Sequence, residues 1–237
     1  MAAKRLVLFV EGEGDQQALP ILIRHLLTDY QAWNSIFLDA QPFRVDNLGH
    51  FLRRDGKECI RLFKAAARTR KNLGGILVLL DGDLDRIKSE PFCAWKAGRY
   101  ISQFARQAGA GDLFSVASVL MLQEYESWLI GGIDSLQGKT LPDGRLGVRH
   151  STTTIPANPE VAPRNAKGWL GVNMVSGYKA TVDQAPLTSL LIEDLNPLRK
   201  RGLRSFRRLE NALKKLVTAF ENGKHFVSPE LPNKGMR

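Results

Sequence analysis

The pattern of hydrophobic and polar positions divides the first half of the chain into strands and helices. Apolar residues fill consecutive positions within residues 5–10 and 75–80, which predicts strands that are buried on both faces, as in a parallel sheet. A similar but less uniform run predicts a third strand at residues 113–122. Shorter strands are predicted at residues 35–38 and 43–45.

Between these runs, apolar residues recur at spacings of three and four, as on the buried face of a helix. The predicted helices are residues 15–27, 57–71, 92–107 and 124–130. Strands and helices therefore alternate along this part of the chain. That alternation predicts an α/β fold with a mostly parallel sheet flanked by helices.

The pattern changes after about residue 131. Residues 138–163 are rich in Gly, Pro, Thr and Arg and show little periodicity, which is typical of an insertion, a binding loop or a partly disordered segment. The remainder has helical spacing and ends in an amphipathic helix predicted at residues 203–222. We therefore predict an α/β domain at residues 1–135 and a basic loop with a helical C-terminal extension at residues 136–237.

The overall composition is that of a globular protein, but the charge is strongly positive. The net charge is +10 and the pI is about 9.8, which is equally compatible with a polyanionic partner such as nucleic acid and with a protein that is simply basic. The candidate nucleic-acid contacts lie on two predicted helices and are Lys57, Arg61, Lys64, Arg68, Arg204, Arg207 and Arg208. The residues on the first of these helices are equally compatible with a solvated helix face. Those on the second are equally compatible with a protein interface.

Cysteine usage and hydropathy limit the class of protein further. Cys59 and Cys93 are isolated from each other and from the histidines, which argues against structural zinc and fits a reducing cytosol. The apolar run at the amino end is too short for a signal sequence. No apolar run approaches the roughly 20 residues that span a bilayer. We therefore expect a cytoplasmic protein with no membrane partner.

The chemistry of the chain is concentrated where two of the predicted strands end. The first strand runs into the sequence EGEGD at residues 11–15, and the second runs into DGDLD at residues 81–85. If these strands are parallel neighbours, Glu11 and Asp81 meet at the carboxyl edge of the sheet, where open α/β sheets bind ligands. Carboxylates that meet there repel one another unless a cation lies between them. Mg²⁺ and Mn²⁺ prefer such oxygen ligands.

Spacing supports a common direction for two of these acids, although each acid also has a simpler explanation. In extended backbone, residues i and i+2 point the same way, about 6.5–7 Å apart, so Asp81 and Asp83 can face one site. Asp15 and Asp85 could equally be N-caps of the helices that follow. Glu13 fits a solvated position.

The order of these acids resembles a known domain. Glu11 and Asp15 after a first strand, followed by Asp81 and Asp83 after a later one, resemble the Toprim domain of topoisomerases, primases and OLD-family nucleases. The resemblance to that domain covers about residues 4–130.

A narrower resemblance extends over nearly the whole chain. The segment Gln123-Glu124-x-Glu126-x-Trp128 and the later Gly177-Tyr178-Lys179 are similar to an uncharacterised bacterial family of Toprim-like proteins. Those proteins are often encoded beside an AAA/ABC-type ATPase, in what look like phage-defence loci.

The resemblance implies a Toprim-like (Rossmann-like) fold and metal-dependent hydrolysis of phosphodiesters, with one or two Mg²⁺ or Mn²⁺ ions. One ion would activate water and the other would stabilise the leaving oxygen. By position, the implied catalytic residues are Glu11, Asp81, Asp83 and Lys179. The implied metal ligands are Glu11, Asp15, Asp81, Asp83, Asp85, Glu124 and Glu126. The resemblance does not choose between the last two, and Lys179 is also compatible with a surface lysine.

We therefore expect a metal-dependent, OLD-like nuclease of a bacterial defence or ATPase-coupled system. Its expected partners are nucleic acid (DNA or RNA) and an AAA/ABC-type ATPase, and a homodimer stays open. The main alternative is a non-catalytic Toprim-like subunit that binds nucleic acid or regulates an ATPase. A phosphatase of the DxD type is disfavoured because a glutamate motif precedes Asp81. No GxxxxGK[ST] sequence is present, which excludes a P-loop.

Overall fold

The computed structural model describes residues 3–87, 90–151 and 154–230, and its centre is a parallel sheet. The strands of this sheet are β1 (Lys4–Val10), β2 (Ile36–Leu38), β3 (Phe43–Arg44), β4 (Leu73–Gly82), β7 (Ser115–Leu122) and β8 (Val227–Ser228). Two further strands, β5 (Arg86–Ile87) and β6 (Glu90–Pro91), form a separate antiparallel pair. The order across the sheet is β2-β1-β4-β7-β8, with β3 also paired to β1. Every pairing in the sheet is parallel.

Helices cover both faces of this sheet. They are α1 (Glu13–Asp29), α2 (Leu48–Thr69), α3 (Ala94–Gln107), α4 (Glu126–Gly131), α5 (Ala166–Asn173), α6 (Ala180–Leu191), α7 (Asn196–Arg201) and α8 (Arg204–Glu221). Short 3-10 turns follow α1 and α4. Within the described ranges, no helix combines the length and the apolar character needed to cross a membrane. The prediction of an α/β fold with a mostly parallel sheet flanked by helices is confirmed.

Alternate residues of the central strands belong to two separate hydrophobic cores. Leu8 of β1 packs on the side of α1, α4, α6 and α8, whereas Phe9 packs on the side of α2 and α3. The Phe9 ring stacks on Phe43 and Phe63, with ring centroids 5.1 and 5.2 Å away. Burying a side chain of this size contributes about 1.5–3 kcal/mol. The prediction that the two apolar runs are buried on both faces is confirmed, because both runs have no exposed surface.

Helix α2 begins nine residues before the predicted start at residue 57. The backbone leaves the helical conformation at Arg53 and is left-handed at Arg54, Asp55 and Gly56. A Cβ atom on Gly56 would lie 2.2 Å from the Phe104 ring, so only glycine fits between α2 and α3 at this turn. The helical pattern of the sequence restarts after this break, which explains the late predicted start.

Residues 138–163 contain no helix or strand within their described part, as the sequence predicts. Glu160 anchors this segment, because its two carboxylate oxygens accept hydrogen bonds from the backbone N–H groups of Arg204 and Ser205, both at 2.7 Å. A carboxylate at a helix N-terminus stabilises the free N–H groups there. The loop therefore ends against the start of α8. The boundary at residue 135 between two parts stays a prediction.

Candidate functional site

The acidic residues after β1 and β4 lie side by side at the carboxyl edge of the sheet. Val10 is in register with Leu79, so Glu11 follows β1 at the level of Leu80, one residue before Asp81 on β4. The backbone N–H groups of Asp81 and Leu48 lie against the Glu11 carboxylate. Leu48 is the first residue of α2, and a helix N-terminus favours a negative charge.

Burial and mutual repulsion make these carboxylates hard to ionise together. Burial raises the pKa of Glu11 from 4.5 to about 7, and the negative charges of Asp83 and Asp15 add to that rise. Burial also raises the pKa of Asp81 well above its usual value, with further contributions from Asp15, Glu11 and Glu126. At neutral pH the site therefore keeps a proton unless a cation enters.

Two carboxylate oxygens of this cluster are buried without a hydrogen-bond partner among the described residues. They are the Oε2 atom of Glu11 and the Oδ1 atom of Asp81. A buried acceptor that is left unsatisfied costs about 1–3 kcal/mol, and more when it is charged. These two atoms are therefore the acceptors of the cluster that could take a positively charged ligand.

Asp15, by contrast, uses both of its carboxylate oxygens. Its Oδ2 atom accepts from the backbone N–H of Gly12 at 2.9 Å, and its Oδ1 atom accepts from the side-chain amide of Gln184 at 2.6 Å. Asp15 is therefore the third residue of α1 and not its N-cap, and its side chain caps the first turn of the helix from that position. A Cβ atom on Gly14 would lie 2.0 Å from Gln184 Oε1 and 2.8 Å from Ala180 O. Glycine at position 14 therefore lets α6 approach close enough for the Gln184 contact.

The end of β7 brings two more carboxylates towards the cluster. Gln123 has a φ of 67°, an unusual conformation that often marks functional sites. After this turn, the charge of Glu126 contributes to the raised pKa of Asp81. Glu124 instead accepts a hydrogen bond from Lys167 at 2.6 Å. Of the two glutamates that the sequence could not separate, the structure couples Glu126 to Asp81.

Glu126 is buried and has a dedicated donor. Its Oε1 atom accepts a hydrogen bond from the Tyr178 hydroxyl at 2.8 Å. Burial raises the pKa of Glu126, while Lys167 and the Tyr178 hydrogen bond act in the opposite direction. Tyr178 therefore holds the Glu126 side chain in one orientation.

Lys167 on α5 is the cation that balances this cluster. Burial lowers its pKa, but the charges of Glu126, Glu124 and Asp81 outweigh burial and leave the pKa raised. Sequence reasoning missed Lys167 and Gln184, and it named Tyr178 in a motif without giving it a role. The sequence carries only a general signal for such supporting residues, because buried acids need hydrogen-bond donors or a counter-charge.

Two predicted site residues are exposed and make their hydrogen bonds outside the cluster. Asp85 is largely exposed and pairs with Arg164 at 2.8 Å, and β5 rather than a helix follows it. The N-cap interpretation of Asp85 is therefore wrong. Lys179 is exposed, and its backbone N–H donates to Asp183 at 2.7 Å. The catalytic role of Lys179 stays a prediction.

A cleft of about 540 Å³ adjoins the cluster on the side of Asp83 and Glu124. Phe92, Leu122 and Gln123 also line it. Asp83 is exposed, and its charge contributes to the raised pKa of Glu11. The cleft therefore gives solvent and ligands access to one side of the carboxylates.

The two predicted basic surfaces differ in their relation to this edge. Arg204, Arg207 and Arg208 lie in the first turns of α8 and line a common cleft. The α2 row runs towards the amino edge, because α2 leads into the start of β4. Within that row, Arg61 is paired with Glu58 through two hydrogen bonds of 2.6 and 2.8 Å. The α8 surface is therefore the nearer of the two to the carboxyl edge, and its positive charges are less neutralised by acidic side chains.

The cluster fits a hard divalent cation in its chemistry. Its donors are carboxylates, and two of their oxygens are buried and unpartnered. Within the described part of the chain, however, no three His, Cys, Asp or Glu side chains are close enough to form a ready-made metal site. A cation would therefore have to draw Glu11, Asp81 and their neighbours together.

Comparison with protein families identifies the family to which the chain belongs. Residues 10–214 match the family described as "Domain of unknown function (DUF4276)". The chain belongs to the DUF4276 family. A solved structure, the C-terminal region of the Burkholderia pseudomallei OLD protein, is similar at 16% identity with a TM-score of 0.43. That similarity covers 92% of this chain and 100% of the solved one. No curated protein matches the chain.

Proposed function

We propose that this DUF4276 protein is a Toprim-like, metal-dependent nuclease that hydrolyses phosphodiester bonds. The observation that carries the proposal is the pair of buried, unpartnered oxygens on Glu11 and Asp81, at the ends of adjacent parallel strands. An excess of buried negative charge with unsatisfied acceptors has no structural use by itself. The order of the acids in the Toprim-like motif also supports the proposal.

The roles of the residues follow from their environments. Glu11 and Asp81 would hold a Mg²⁺ or Mn²⁺ ion, with Asp83 and Glu126 completing the ligand set. Asp15, an implied metal ligand, would approach the ion in a fixed orientation, because both of its carboxylate oxygens already accept hydrogen bonds. Asp85 and Glu124 are weaker candidates, since each is paired with a basic side chain.

When bound, such an ion would polarise a phosphate oxygen and lower the pKa of water. The chain supplies the ligands and their positioning. Because the pKa of Glu11 is raised to about 7 in the metal-free site, an ion that binds at neutral pH would displace a proton from this carboxyl group. Lys167 holds Glu124 and limits the repulsion around Asp81. The arginines of α8 would hold the phosphate backbone.

The finer parts of the proposal rest on the motif resemblance. They are a role in an ATPase-coupled or phage-defence system and an AAA/ABC-type ATPase partner. The proposed cytoplasmic location rests instead on cysteine usage and hydropathy, and a homodimer stays open. The rival function is a non-catalytic subunit that binds nucleic acid or regulates an ATPase. The buried repelling carboxylates favour the enzyme, because a binding module has no need for them.

A cleavage assay with Asp81→Asn separates the two functions. Labelled DNA and RNA, single- and double-stranded, would be incubated with the protein and Mn²⁺ or Mg²⁺. We expect cleavage by the wild-type protein and a loss of at least about 100-fold in Asp81→Asn. The control is Asp112→Asn, an exposed aspartate just before β7, at the opposite edge of the sheet. Cleavage retained in Asp81→Asn would show that the activity does not come from this site, and absence of cleavage by the metal-loaded wild-type protein would favour the non-catalytic subunit.

A further inference from the structure

Three adjoining clefts form one continuous path from α8 to the carboxylates. The first, about 580 Å³, and the second, about 400 Å³, share Ser118, Arg204 and Arg208 in their walls. The second cleft and the cleft beside Asp83 share Phe92 and Leu122. We call these joined clefts the α8 groove.

The groove exists because strand β8 covers only the start of β7. β8 pairs with Val116 and Ala117, and β7 continues to Leu122 beyond that pairing. The walls of the groove over this open stretch are the N-terminal turns of α3 and α8. The path therefore ends at the carboxyl edge, where the acidic cluster lies.

The arginines of the groove lack acidic partners, unlike other arginines nearby. Arg199 pairs with Asp29 and Glu210. In the part of the chain that the structure describes, no ion pair involves the side chains of Arg204, Arg207 or Arg208. This row of uncompensated cations is complementary to a polyanion.

Arg208 lies deepest of the three. It is half-buried, and its Nε atom donates to the backbone oxygen of Ser118 at 3.2 Å. Burial lowers the pKa of its guanidinium, with no carboxylate to offset the effect. A half-buried guanidinium of this kind is suited to phosphate, which it can bind through two hydrogen bonds.

The aromatic lining of the groove indicates the form of the polyanion. Trp95 lines the second cleft and is 53% exposed, which is unusual for so large an apolar side chain. The Arg99 guanidinium lies 4.5 Å from its ring centroid. Exposed aromatic rings in basic grooves stack unpaired bases. A duplex keeps its bases inside, and an acidic peptide gains nothing from a stacking surface.

We propose that the α8 groove binds a single-stranded nucleic acid, with phosphates on Arg204, Arg207 and Arg208 and a base stacked on Trp95. The groove would deliver that strand to Asp83, Glu124 and the carboxylates behind them. The inference rests on the proposed function in one respect, since it takes the bound strand to be the substrate. Binding in the groove needs neither metal nor cleavage.

The test is fluorescence anisotropy with labelled 20-nucleotide probes in EDTA, so that cleavage does not interfere. The probes are single-stranded DNA, single-stranded RNA and the corresponding duplex. We expect a single strand to bind at least about tenfold tighter than the duplex, and Trp95→Ala to weaken that binding roughly 5- to 100-fold. Arg208→Ala should also weaken binding and reduce its dependence on salt. The tighter of the two single strands identifies the sugar that the groove prefers.

Matched controls come from positions outside the walls of the groove. Trp33 is another exposed tryptophan, 40% exposed, and it lies before β2 at the far edge of the sheet. Arg24 is exposed on α1. Trp33→Ala and Arg24→Ala should bind as the wild-type protein does. Thermal melting of all four variants verifies that each is folded.

Three results would overturn the inference. They are a duplex that binds as tightly as the single strands, a Trp95→Ala protein that binds like Trp33→Ala, and a poly-glutamate peptide of matched charge that competes equally with the strand. Failure of the proposed function looks different. In that case the variants of the groove still lose single-strand binding in EDTA, but the protein neither binds metal nor cleaves.

Discussion

The Nζ atom of Lys167 lies 2.6 Å from Glu124 Oε1, and this pair places a positive charge against the carboxylates at the strand ends. Lys167 also interacts electrostatically with Glu126 and Asp81. Its positive charge reduces the repulsion among these carboxylates, as the charge of a bound cation would. The lysine and a metal ion therefore act on the same carboxylates.

Replacing Lys167 with Met should destabilise the metal-free protein and make it more dependent on metal. Removing a partly exposed counter-charge costs about 1 kcal/mol, and the remaining carboxylates should then bind Mn²⁺ more tightly. Thermal melting in EDTA and in Mn²⁺ measures both effects. Lys139→Met is the control, because Lys139 makes a similar contact of 2.6 Å with Glu193, outside the cluster. Equal losses in the two variants, or no recovery with Mn²⁺, would refute the role of Lys167.

The metal-free protein should lose stability as the pH rises from about 4.5 to about 7. The pKa of Glu11 is raised from 4.5 to about 7 in the folded state, so the folded state binds more protons than the unfolded state in this window. Stability is therefore greatest below the unfolded pKa and declines until the folded pKa is passed. The loss is at most about 3 kcal/mol.

Urea denaturation in EDTA across this pH range measures the effect. The difference between wild type and Glu11→Gln isolates the contribution of Glu11 from that of other titrating groups. We expect Glu11→Gln to gain stability relative to wild type above pH 7. A constant difference across the range would show that Glu11 does not titrate as described.

Gly14→Ala should separate α6 from α1. The new Cβ atom would meet Gln184 Oε1 at 2.0 Å and Ala180 O at 2.8 Å, so the Gln184–Asp15 hydrogen bond could not persist. Overpacking of this kind costs about 1–3 kcal/mol, which urea denaturation measures. Gly171→Ala in helix α5 is the matched control, because the atom nearest to the new Cβ would be 4.0 Å away. An unchanged stability in Gly14→Ala would contradict the close approach of the two helices.

Tyr178→Phe should weaken the support of Glu126. The substitution removes the hydroxyl that donates to Glu126 Oε1 at 2.8 Å, and a lost hydrogen bond to a charged group costs about 1.5–3 kcal/mol. Chemical denaturation above neutral pH measures the loss. Tyr30→Phe serves for comparison, because the Tyr30 hydroxyl has no hydrogen-bond partner among the described residues. Similar behaviour of the two variants would remove the role assigned to Tyr178.

The sequence predicts the strand ends because local patterns determine them. Two fully apolar runs indicate parallel strands, and that geometry brings Glu11 and Asp81 together without knowledge of the rest of the chain. Gln184 and Asp15 are 169 positions apart, and no local pattern links them. The N-cap interpretation of Asp85 fails because β5, which pairs antiparallel with β6, stands where the sequence predicts a helix start. The residues that support the site were therefore accessible from the structure alone.

Calorimetric titration of Mn²⁺ into metal-stripped protein at pH 7 tests the central claim most directly. Run in two buffers of different ionisation enthalpy, it reports both affinity and proton release. The account predicts saturable binding that releases protons, because Glu11 keeps part of its proton at this pH in the absence of a cation. Glu11→Gln and Asp81→Asn should each weaken binding by about tenfold or more, whereas Asp112→Asn should not. No binding to the folded wild-type protein, or equal binding to all variants, would contradict a metal site at the ends of β1 and β4.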